Sequence, residues 1–203
     1  MSTVQLIKYV AGSYRTNVYL CWDEDTKDAF IVDPGYEFKA ICEDIERLCL
    51  KPKYIILTHG HGDHTGGIDM LKKIYPDILL VASAKEKKLL FHRSMSMGKG
   101  GITADIEVSD GDILKVGNIE LKFISTPGHT PGGMCILTGN TLFSGDTLFK
   151  GSVGRSDFPG GDEEALLRSV KEKLMAIPDE TRVLPGHMEE TTIGIERRYN
   201  PFV

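Results

Sequence analysis

The stretch YIILTHGHGDH at residues 54–64 leads from an apolar run directly into a loop that carries three histidines and an aspartate. The four apolar residues at 54–57 predict a short buried strand, and apolar residues at helical spacing over 68–74 predict a helix that starts near Gly66. The histidine-rich loop therefore lies at a strand-to-helix junction. Imidazole and carboxylate groups are the ligands by which proteins bind zinc, iron and manganese, so this junction is a candidate metal site.

Three residues farther along the chain stand in a similar setting, each after an apolar run: His129 and His187, both within Pro-Gly-His, and Asp146, within Ser-Gly-Asp. Five of the six histidines thus lie at predicted strand ends. This placement disfavours the alternative that the histidines are exposed loop residues that cluster by chance.

These residues divide into two predicted ligand sets: His59, His61 and His129 for a first metal ion, and Asp63, His64 and His187 for a second. Asp146 is the predicted bridge, because the two oxygens of a carboxylate can span metal ions about 3.5–4 Å apart. Three protein ligands and a bridge leave each ion a position for water or substrate, as in catalytic rather than structural sites.

The composition of the 203 residues, 41% hydrophobic and 26% charged, predicts a single domain over residues 1–203 with ample material for a core. The formal net charge of −5 argues against nucleic acid as a partner, because nucleic-acid-binding proteins carry a clustered basic excess. No apolar run approaches membrane-spanning length and no basic-apolar signal segment opens the chain. We therefore expect a cytoplasmic protein that acts on a small molecule, with no nucleic-acid or membrane partner and no oligomeric state specified.

The four cysteines show no Cys-x-x-Cys spacing, which argues against a cysteine-based zinc site. Cys42 and Cys49 lie a helical period apart, and we expect both to pack on the core face of one helix. The single tryptophan, Trp22, is expected in the core.

Strand-like and helix-like patterns alternate along the chain without a linker or a low-complexity tract. The predicted strands are residues 4–10, 18–22, 29–32, 54–57, 78–82, 107–108, 113–116, 119–124, 134–137, 141–143 and 182–184. The predicted helices are residues 38–48, about 66–74, 83–91, and a segment from the N-cap Asp162 to Pro178. Residues 94–101, SMSMGKGG, form a predicted loop, which is either an adaptable lid over a pocket or a plain connection. This order predicts an α/β (α+β) fold in which helices cover the outer faces of β-sheets.

The pattern His-x-His-x-Asp-His at 59–64, followed in order by His129, Asp146 and His187, resembles the metallo-β-lactamase superfamily over nearly the whole chain. This resemblance implies a four-layered αββα sandwich with the metal ions at one sheet edge. Within the superfamily, GDTLF at 145–149 and GRSDF at 154–158 look like the glyoxalase II branch, the hydroxyacylglutathione hydrolases. They also look like the related persulfide dioxygenases.

Departures from other branches narrow the expected activity. Most β-lactamases of the superfamily carry a cysteine near the position of Asp146, so we do not expect antibiotic hydrolysis. Flavodiiron proteins carry glutamate where this chain has His61, and the RNA-processing branches need a large inserted domain. Full-length glyoxalase II enzymes add a C-terminal helical domain that helps to hold glutathione. This sequence ends soon after His187, so we expect that domain to be absent.

The resemblance and the ligand set together predict a metal-dependent hydrolase. The leading hypothesis is hydrolysis of S-acylglutathione-type thioesters by a hydroxide shared between two divalent ions, with Asp63 as the catalytic residue that orients it. Zn²⁺ is the expected metal, with iron and manganese as alternatives. Three other hypotheses stay open: a mononuclear iron persulfide dioxygenase, a hydrolase of another small ester, lactone or phosphoester, and a non-catalytic metal-binding domain.

Four residues outside the ligand set have a less defined role. Arg155 and Lys150 are candidates to bind the substrate, because guanidinium in particular binds carboxylates bidentately. The alternative for Arg155 is an ion pair with Asp157. Asp33, before Pro-Gly, is either a turn residue or a hydrogen-bond partner of a ligand histidine, and His92 is expected at the surface.

Overall fold

In the computed structural model, which describes residues 4–203, twelve strands form two six-stranded sheets and two more form a small hairpin. The first sheet consists of β1 (Gln5–Ala11), β2 (Thr16–Trp22), β3 (Asp28–Val32), β4 (Lys51–Ile56), β5 (Leu79–Ser83) and β6 (Ile106–Val108), in that spatial order. Its first three strands are antiparallel, whereas β3 to β6 run parallel.

The second sheet contains β7 (Ile113–Val116), β8 (Ile119–Ser125), β9 (Met134–Thr138), β10 (Thr141–Gly145), β13 (Arg182–Pro185) and β14 (Thr191–Thr192). The spatial order is β14-β13-β10-β9-β8-β7, and β10 and β13 are its one parallel pair among the described residues. In chain order, β10 is followed by a separate two-stranded hairpin, β11 (Leu148–Phe149) and β12 (Ser152–Val153), before β13.

Helices connect the strands and lie outside the sheets. The first sheet is accompanied by α1 (Lys39–Arg47), α2 (Gly62–Thr65), α3 (Ile68–Ile74), a 3₁₀ turn (Ala84–Glu86), α4 (Lys87–Phe91) and α5 (Arg93–Ser96). The second sheet is accompanied by α6 (Glu163–Arg168), its π-helical and 3₁₀ continuation over 169–176, and α7 (Ile193–Tyr199). Within residues 4–203, no helix has the length and apolar character needed to cross a bilayer.

The core consists of three apolar layers, which explains why the two sheets stack with helices outside them. Between the sheets, Tyr19 and Phe30 of the first pack with Phe123 and Phe143 of the second. All seven residues of β2 are buried, because its side chains alternate between this central layer and the layer under α1 and α3. A third layer joins the second sheet to 169–176 and α7. The predicted αββα order is therefore confirmed.

Three predictions about local structure are wrong. The loop expected from residue 94 begins as the helical turn α5. The helical spacing of Ile68, Leu71 and Ile74 places all three on the core face, but Ile74, the last residue of α3, is exposed. Cys49 is also exposed, because α1 ends at Arg47 and a left-handed backbone (φ 55°) turns the chain away.

Other local predictions are confirmed. Trp22 is buried, and Cys42 packs against the layer under α1. Asp162 caps α6, since its carboxylate accepts the N–H of Ala165 at 2.9 Å.

Candidate metal centre

The predicted metal ligands meet at one edge of the sandwich, although they come from distant parts of the sequence. His59 and His61 follow β4, and α2 carries Asp63 and His64. The other three follow strands of the second sheet: His129 after β8, Asp146 after β10 and His187 after β13. Because β10 and β13 are parallel, the residues after them emerge at the same edge.

The three-histidine cluster comprises His59, His61 and His129, all of which are buried. One ring nitrogen from each lies within 4.8 Å of the other two, and His129 Nε2 is 2.9 Å from His61 Nδ1. The Nε2 atoms of His59 and His61 are buried and have no hydrogen-bond partner. Buried nitrogen atoms are normally satisfied, so His59 Nε2 is suited to hold a metal ion, and His61 offers the Nδ1 atom that faces His129 Nε2.

Hydrogen bonds fix which nitrogen of His59 is free. Thr58 Oγ1 lies 2.6 Å from a carboxylate oxygen of Asp33 and therefore donates its single hydrogen there. His59 Nδ1, 3.0 Å from the same hydroxyl, must then donate to it. This arrangement leaves a lone pair on Nε2. His129 is oriented similarly, because its Nδ1 donates to the carbonyl oxygen of Arg155 at 2.6 Å.

The aspartate cluster comprises Asp63, His64 and His187, whose nearest nitrogen and oxygen atoms also lie within 4.8 Å of one another. His64 Nδ1 donates to Asp33 at 3.0 Å, and His187 Nδ1 donates to the carbonyl oxygen of Tyr14 at 3.1 Å. Their Nε2 atoms consequently face each other at 3.3 Å. Asp63 Oδ2 is 3.3 Å from His187 Nε2 and 3.4 Å from His64 Nε2.

Asp146 lies between the two clusters. Its Oδ1 is 3.5 Å from His64 Nε2, and its Oδ2 is 3.6 Å from His129 Nε2 and 3.5 Å from His187 Nε2. Gly186 allows this approach, because a Cβ at that position would lie 2.3 Å from Asp146 Oδ1. The seven predicted ligands are thus brought together, in two groups that share one carboxylate.

The environment of the three-histidine cluster lowers the pKa of each of its histidines. Burial, with the neighbouring histidine rings as a second cause, lowers the pKa of His61 to about 4 and holds that of His59 well below its usual value. Burial also lowers the pKa of His129. At pH 7 and without a metal ion, these three rings are neutral, which is the form that binds metals.

The environment of the aspartate cluster has the opposite effect. Burial alone would lower the pKa of His64, but the charges of Asp146 and Asp33 outweigh it and raise the pKa to about 9. In the same way, Asp146 and Asp63 raise the pKa of His187 to about 10. The pKa of Asp63 is lowered, since its contacts with the two histidines outweigh burial. Without a metal ion this cluster therefore holds protons.

Two further carboxylates organise the site. Asp33, which is buried and has a left-handed backbone (φ 50°), accepts the N–H and hydroxyl of Thr58 and the Nδ1–H of His64, so the hydrogen-bonding interpretation of this residue is confirmed. Sequence reasoning missed Glu86, a fully buried carboxylate beside the loops that carry His59 and His61. The only signal in the sequence is indirect: Glu86 precedes the apolar Leu89 by three residues, at helical spacing, but it stands among lysines.

The two candidate substrate-binding residues have acidic partners. Arg155 binds Asp157 through two hydrogen bonds of 2.9 and 2.7 Å, and its guanidinium lies 4.5 Å from the centre of the Phe158 ring. The predicted ion pair with Asp157 is therefore present. Lys150 pairs with Glu189 at 2.5 Å. His92 is exposed, as expected.

Comparison with known sequences identifies the family. The profile of the metallo-beta-lactamase superfamily matches residues 11–187. An uncharacterized protein of Aquifex aeolicus is 40% identical over 206 residues, covering 97% of this chain and 96% of that protein. The hydroxyacylglutathione hydrolase GloC of Haemophilus influenzae is 37% identical over 201 residues, covering 94% of each. The probable metallo-hydrolase YqgX of Bacillus subtilis is 36% identical over 204 residues, covering 95% of this chain and 94% of that protein.

Solved structures agree. BLEG-1 B3 metallo-beta-lactamase superimposes with a TM-score of 0.91 at 33% identity, covering 98% of this chain and 99% of that one. TTHA1623, in a di-iron-bound form, has a TM-score of 0.85 at 32% identity, covering 97% of this chain and 100% of that one. ETHE1 from Myxococcus xanthus has a TM-score of 0.82 at 29% identity, covering 97% of this chain and 83% of that one. The two-sheet sandwich, the clusters that can hold metal ions and these similarities lead to one assignment: the chain belongs to the metallo-beta-lactamase superfamily and is a metallo-hydrolase of that superfamily.

Proposed function

We propose that this protein hydrolyses thioesters of small thiols, of the S-acylglutathione type, with two divalent metal ions. The observation that carries the proposal is the convergence of the three-histidine cluster and the aspartate cluster on Asp146, which contacts both. The substrate class is supported by 37% identity to a hydroxyacylglutathione hydrolase along almost the entire length of both chains.

His59, His61 and His129 would hold one ion, and Asp63, His64 and His187 would hold the other, with Asp146 available to both sets. The donors fit for two reasons. The Nδ1 atoms of His59, His64, His129 and His187 are engaged by oxygen atoms, which leaves their Nε2 atoms free. In His61 it is Nδ1 that faces His129 Nε2, at 2.9 Å. Zn²⁺ is the proposed metal, with iron and manganese as alternatives. When bound, the ions supply an activated water and a positive centre for the carbonyl oxygen of the thioester.

The side chains of the chain itself hold the reactants in place. The hydroxyl of Thr16 donates to Asp63 Oδ2 at 2.9 Å and so fixes the carboxylate, which we propose orients the attacking water by accepting its hydrogen bond. A departing thiol has a pKa of about 8.5, so it leaves as thiolate without a dedicated general acid. Arg155 and Lys150 are proposed to bind substrate carboxylates, for which each must exchange its present acidic partner.

A second candidate function is oxidation of a thiol persulfide by a single iron ion. The similarity to ETHE1 from Myxococcus xanthus, at 29% identity and a TM-score of 0.82, favours including it. β-Lactam hydrolysis should also be measured, because the chain is similar to BLEG-1 B3 metallo-beta-lactamase. The aspartate at position 146 argues against this activity.

One set of measurements separates these functions. The metal content of the purified protein is determined by elemental mass spectrometry, and the same preparation is assayed for S-lactoylglutathione hydrolysis, for oxygen uptake on glutathione persulfide and for hydrolysis of a chromogenic cephalosporin. We expect two divalent ions per chain and thioester hydrolysis as the fastest activity. One iron per chain with oxygen uptake would establish the dioxygenase, and a faster cephalosporin reaction would establish the lactamase.

A further inference from the structure

A cavity of about 1040 Å³ lies beside α2, the helix that carries Asp63 and His64. Its lining includes Tyr36, His92, Arg93, Met97, Gly98 and Lys99. We propose that this cavity binds a carboxylate-bearing arm of the substrate, with Arg93 as the residue that recognises the charge. This inference rests on the proposed function, since it names the kind of thioester that the metal centre receives.

The cavity wall is in direct contact with the metal-binding segment. A Cβ placed on Gly62, which lies between His61 and Asp63, would be 2.5 Å from Gly98 Cα and 2.8 Å from the carbonyl oxygen of Met97. On the other side, the Tyr36 ring packs on Gly66, just beyond α2. The cavity and the metal centre thus flank the same short segment, and this adjacency is the basis on which the remaining part of the substrate is assigned to the cavity.

The chemistry of the lining favours an anion. Lys99 is paired with Asp69, whereas Arg93 is exposed and forms no ion pair within residues 4–203. The cavity therefore carries a positive charge on a chain whose formal net charge is −5. Guanidinium binds carboxylates through two parallel hydrogen bonds. By contrast, Arg155 already holds Asp157 in that manner.

The lining also offers apolar contacts. The Tyr36 side chain, which is 59% exposed, presents a ring face, and the flexible thioether of Met97 is 54% exposed. A ligand with a carboxylate and a short carbon chain matches this combination. The cavity therefore fits a peptide-like thiol or an acidic acyl group better than a neutral, compact thioester.

The test compares Arg93→Ala with Arg168→Ala, a control on the exposed face of α6. Three substrates are used: S-lactoylglutathione, the lactoyl thioester of N-acetylcysteamine, which has no carboxylate, and the succinyl thioester of N-acetylcysteamine, with its carboxylate on the acyl half. We expect Arg93→Ala to raise KM about 10-fold for a carboxylate-bearing substrate, as for one lost charged hydrogen bond, with kcat within about 2-fold. KM for the neutral thioester should not change. The acidic substrate that responds identifies which half enters the cavity.

A binding measurement separates this inference from the proposed function. S-methylglutathione, a thioether that cannot be hydrolysed, is titrated calorimetrically into the wild-type protein and both variants. Weaker binding to Arg93→Ala alone supports the cavity even if no thioester is hydrolysed. Hydrolysis of all three thioesters with equal KM in the wild type and Arg93→Ala, together with unchanged S-methylglutathione binding, would overturn the inference while leaving the proposed function intact.

A different observation concerns Glu86, the last residue of the 3₁₀ turn, whose side chain is fully buried. Its Oε2 accepts the N–H of Gly60 at 2.8 Å, and its Oε1 accepts the N–H of Gly132 at 2.7 Å. Each oxygen of the carboxylate thus accepts a backbone N–H group. We infer that Glu86 is a positioning residue, which holds together the two loops that carry the three-histidine cluster.

The geometry explains this role. Gly60 lies between His59 and His61, and Gly132 follows His129 by three residues. The carboxylate thus ties one loop to the other at the point where His61 and His129 approach to 2.9 Å. Without it, two buried N–H groups lose their partners, and the backbone bond from Met134 N–H to the carbonyl oxygen of Thr58, at 2.8 Å, remains as a link between the two segments.

Glu86→Gln and Glu86→Ala test the inference, with the exposed Glu43→Gln in α1 as the control. Glutamine can accept one of the two N–H groups, but its amide nitrogen opposes the other. We expect zinc affinity, measured by chelator competition, to fall about 10-fold in Glu86→Gln and about 100-fold in Glu86→Ala. The d–d absorption of the cobalt-substituted protein should change with it.

Thermal unfolding with and without metal distinguishes positioning from general stability. If Glu86→Gln lowers the unfolding temperature of both forms equally, with zinc affinity and the cobalt spectrum unchanged, the residue is merely structural and the inference is wrong. If Glu86→Ala does not fold, Glu86→Gln, which has the same shape, still decides the question. A metal-dependent stabilisation that shrinks in Glu86→Gln and not in Glu43→Gln supports the inference.

Discussion

The three-histidine cluster and the aspartate cluster contain the same number of side chains and meet at one carboxylate, yet they differ in charge. The three-histidine cluster is buried and its rings have lowered pKa values. The aspartate cluster borders solvent, with His187 22% and Asp63 19% exposed at the side chain, and the pKa values of its histidines are raised. The first cluster therefore binds a cation without losing protons, whereas the second must release them.

This difference has a consequence for metal loading. A neutral and rigid nitrogen site requires little rearrangement to bind an ion, while a protonated site beside carboxylates binds in competition with protons. We therefore expect the three-histidine cluster to bind its ion more tightly at neutral pH, and the aspartate cluster to hold the more easily exchanged ion.

The largest effect is expected from a change at Asp146, the residue that the two clusters share. Asp146→Ala removes the carboxylate that contacts both clusters, so both ions should be weakened together. We expect kcat for S-lactoylglutathione to fall about 10²- to 10³-fold, the size of a lost electrostatic interaction in an active site, and elemental analysis to show less than one ion per chain. Glu43→Gln, at an exposed residue of α1, is the control. Full activity in Asp146→Ala would show that the clusters act independently.

Single histidine variants should separate the clusters. His61→Ala removes a buried ring whose Nδ1 lies 2.9 Å from His129 Nε2, and His187→Ala removes a nitrogen near solvent, which water can replace. We expect each variant to retain about one ion per chain, with the ion lost from His61→Ala being the more tightly bound one in the wild type. Stepwise chelator titration measures both affinities. If the ion retained by His61→Ala and the ion retained by His187→Ala were bound with equal affinity, the expectation that the three-histidine cluster binds more tightly would be contradicted.

The sequence could predict the seven converging side chains because each belongs to a metal-binding residue type and follows an apolar run. His129 and His187 share the same Pro-Gly-His context, and both strands before them are present. The alternating patterns predicted β-sheets with helices on their outer faces, whereas the four-layered sandwich was implied by the resemblance to the superfamily. In the structure, β2 is buried on both faces and so has a layer on each side.

Glu86 could not be recognised in the same way. It stands in Lys85–Lys88, KEKK, which has the composition of a solvated helix face. Its burial depends on the approach of the loops at Gly60 and Gly132, which come from opposite sheets. Cys49 and Ile74 were misplaced for a local reason, because helical spacing was extended to the point where each helix ends.

A smaller effect is expected from Asp33→Asn, which changes a hydrogen-bond partner rather than a ligand. Asparagine tolerates the left-handed backbone at this position, but it removes the negative charge beside His64 Nδ1. We expect about 10- to 100-fold weaker binding of the ion in the aspartate cluster. His59 contacts Asp33 only through Thr58, so the three-histidine cluster should change less. Chelator titration of both ions checks this, and an equal loss at both clusters would contradict it.

The smallest effect is expected on the stability of the metal-free protein. The direction in which pH changes this stability differs between the two clusters. The folded pKa of His61, about 4, lies below the usual 6.5, so its contribution to stability is present above pH 6.5 and is lost as the pH falls towards 4. The folded pKa values of His64 and His187, about 9 and 10, lie above 6.5. Their contribution is present below pH 6.5 and is lost as the pH rises through 9 and 10.

We therefore expect the free energy of unfolding of the chelator-treated protein, measured with urea, to fall on both sides of neutral pH. His61→Gln should flatten the acid side and His187→Gln the alkaline side, because each removes one of the titrating groups. Adding zinc should abolish the alkaline decrease, since a bound ion excludes the protons whose loss causes it. An alkaline decrease that persists unchanged in His187→Gln and in the zinc-loaded protein would place its origin outside the aspartate cluster and remove the electrostatic distinction between the two halves of the site.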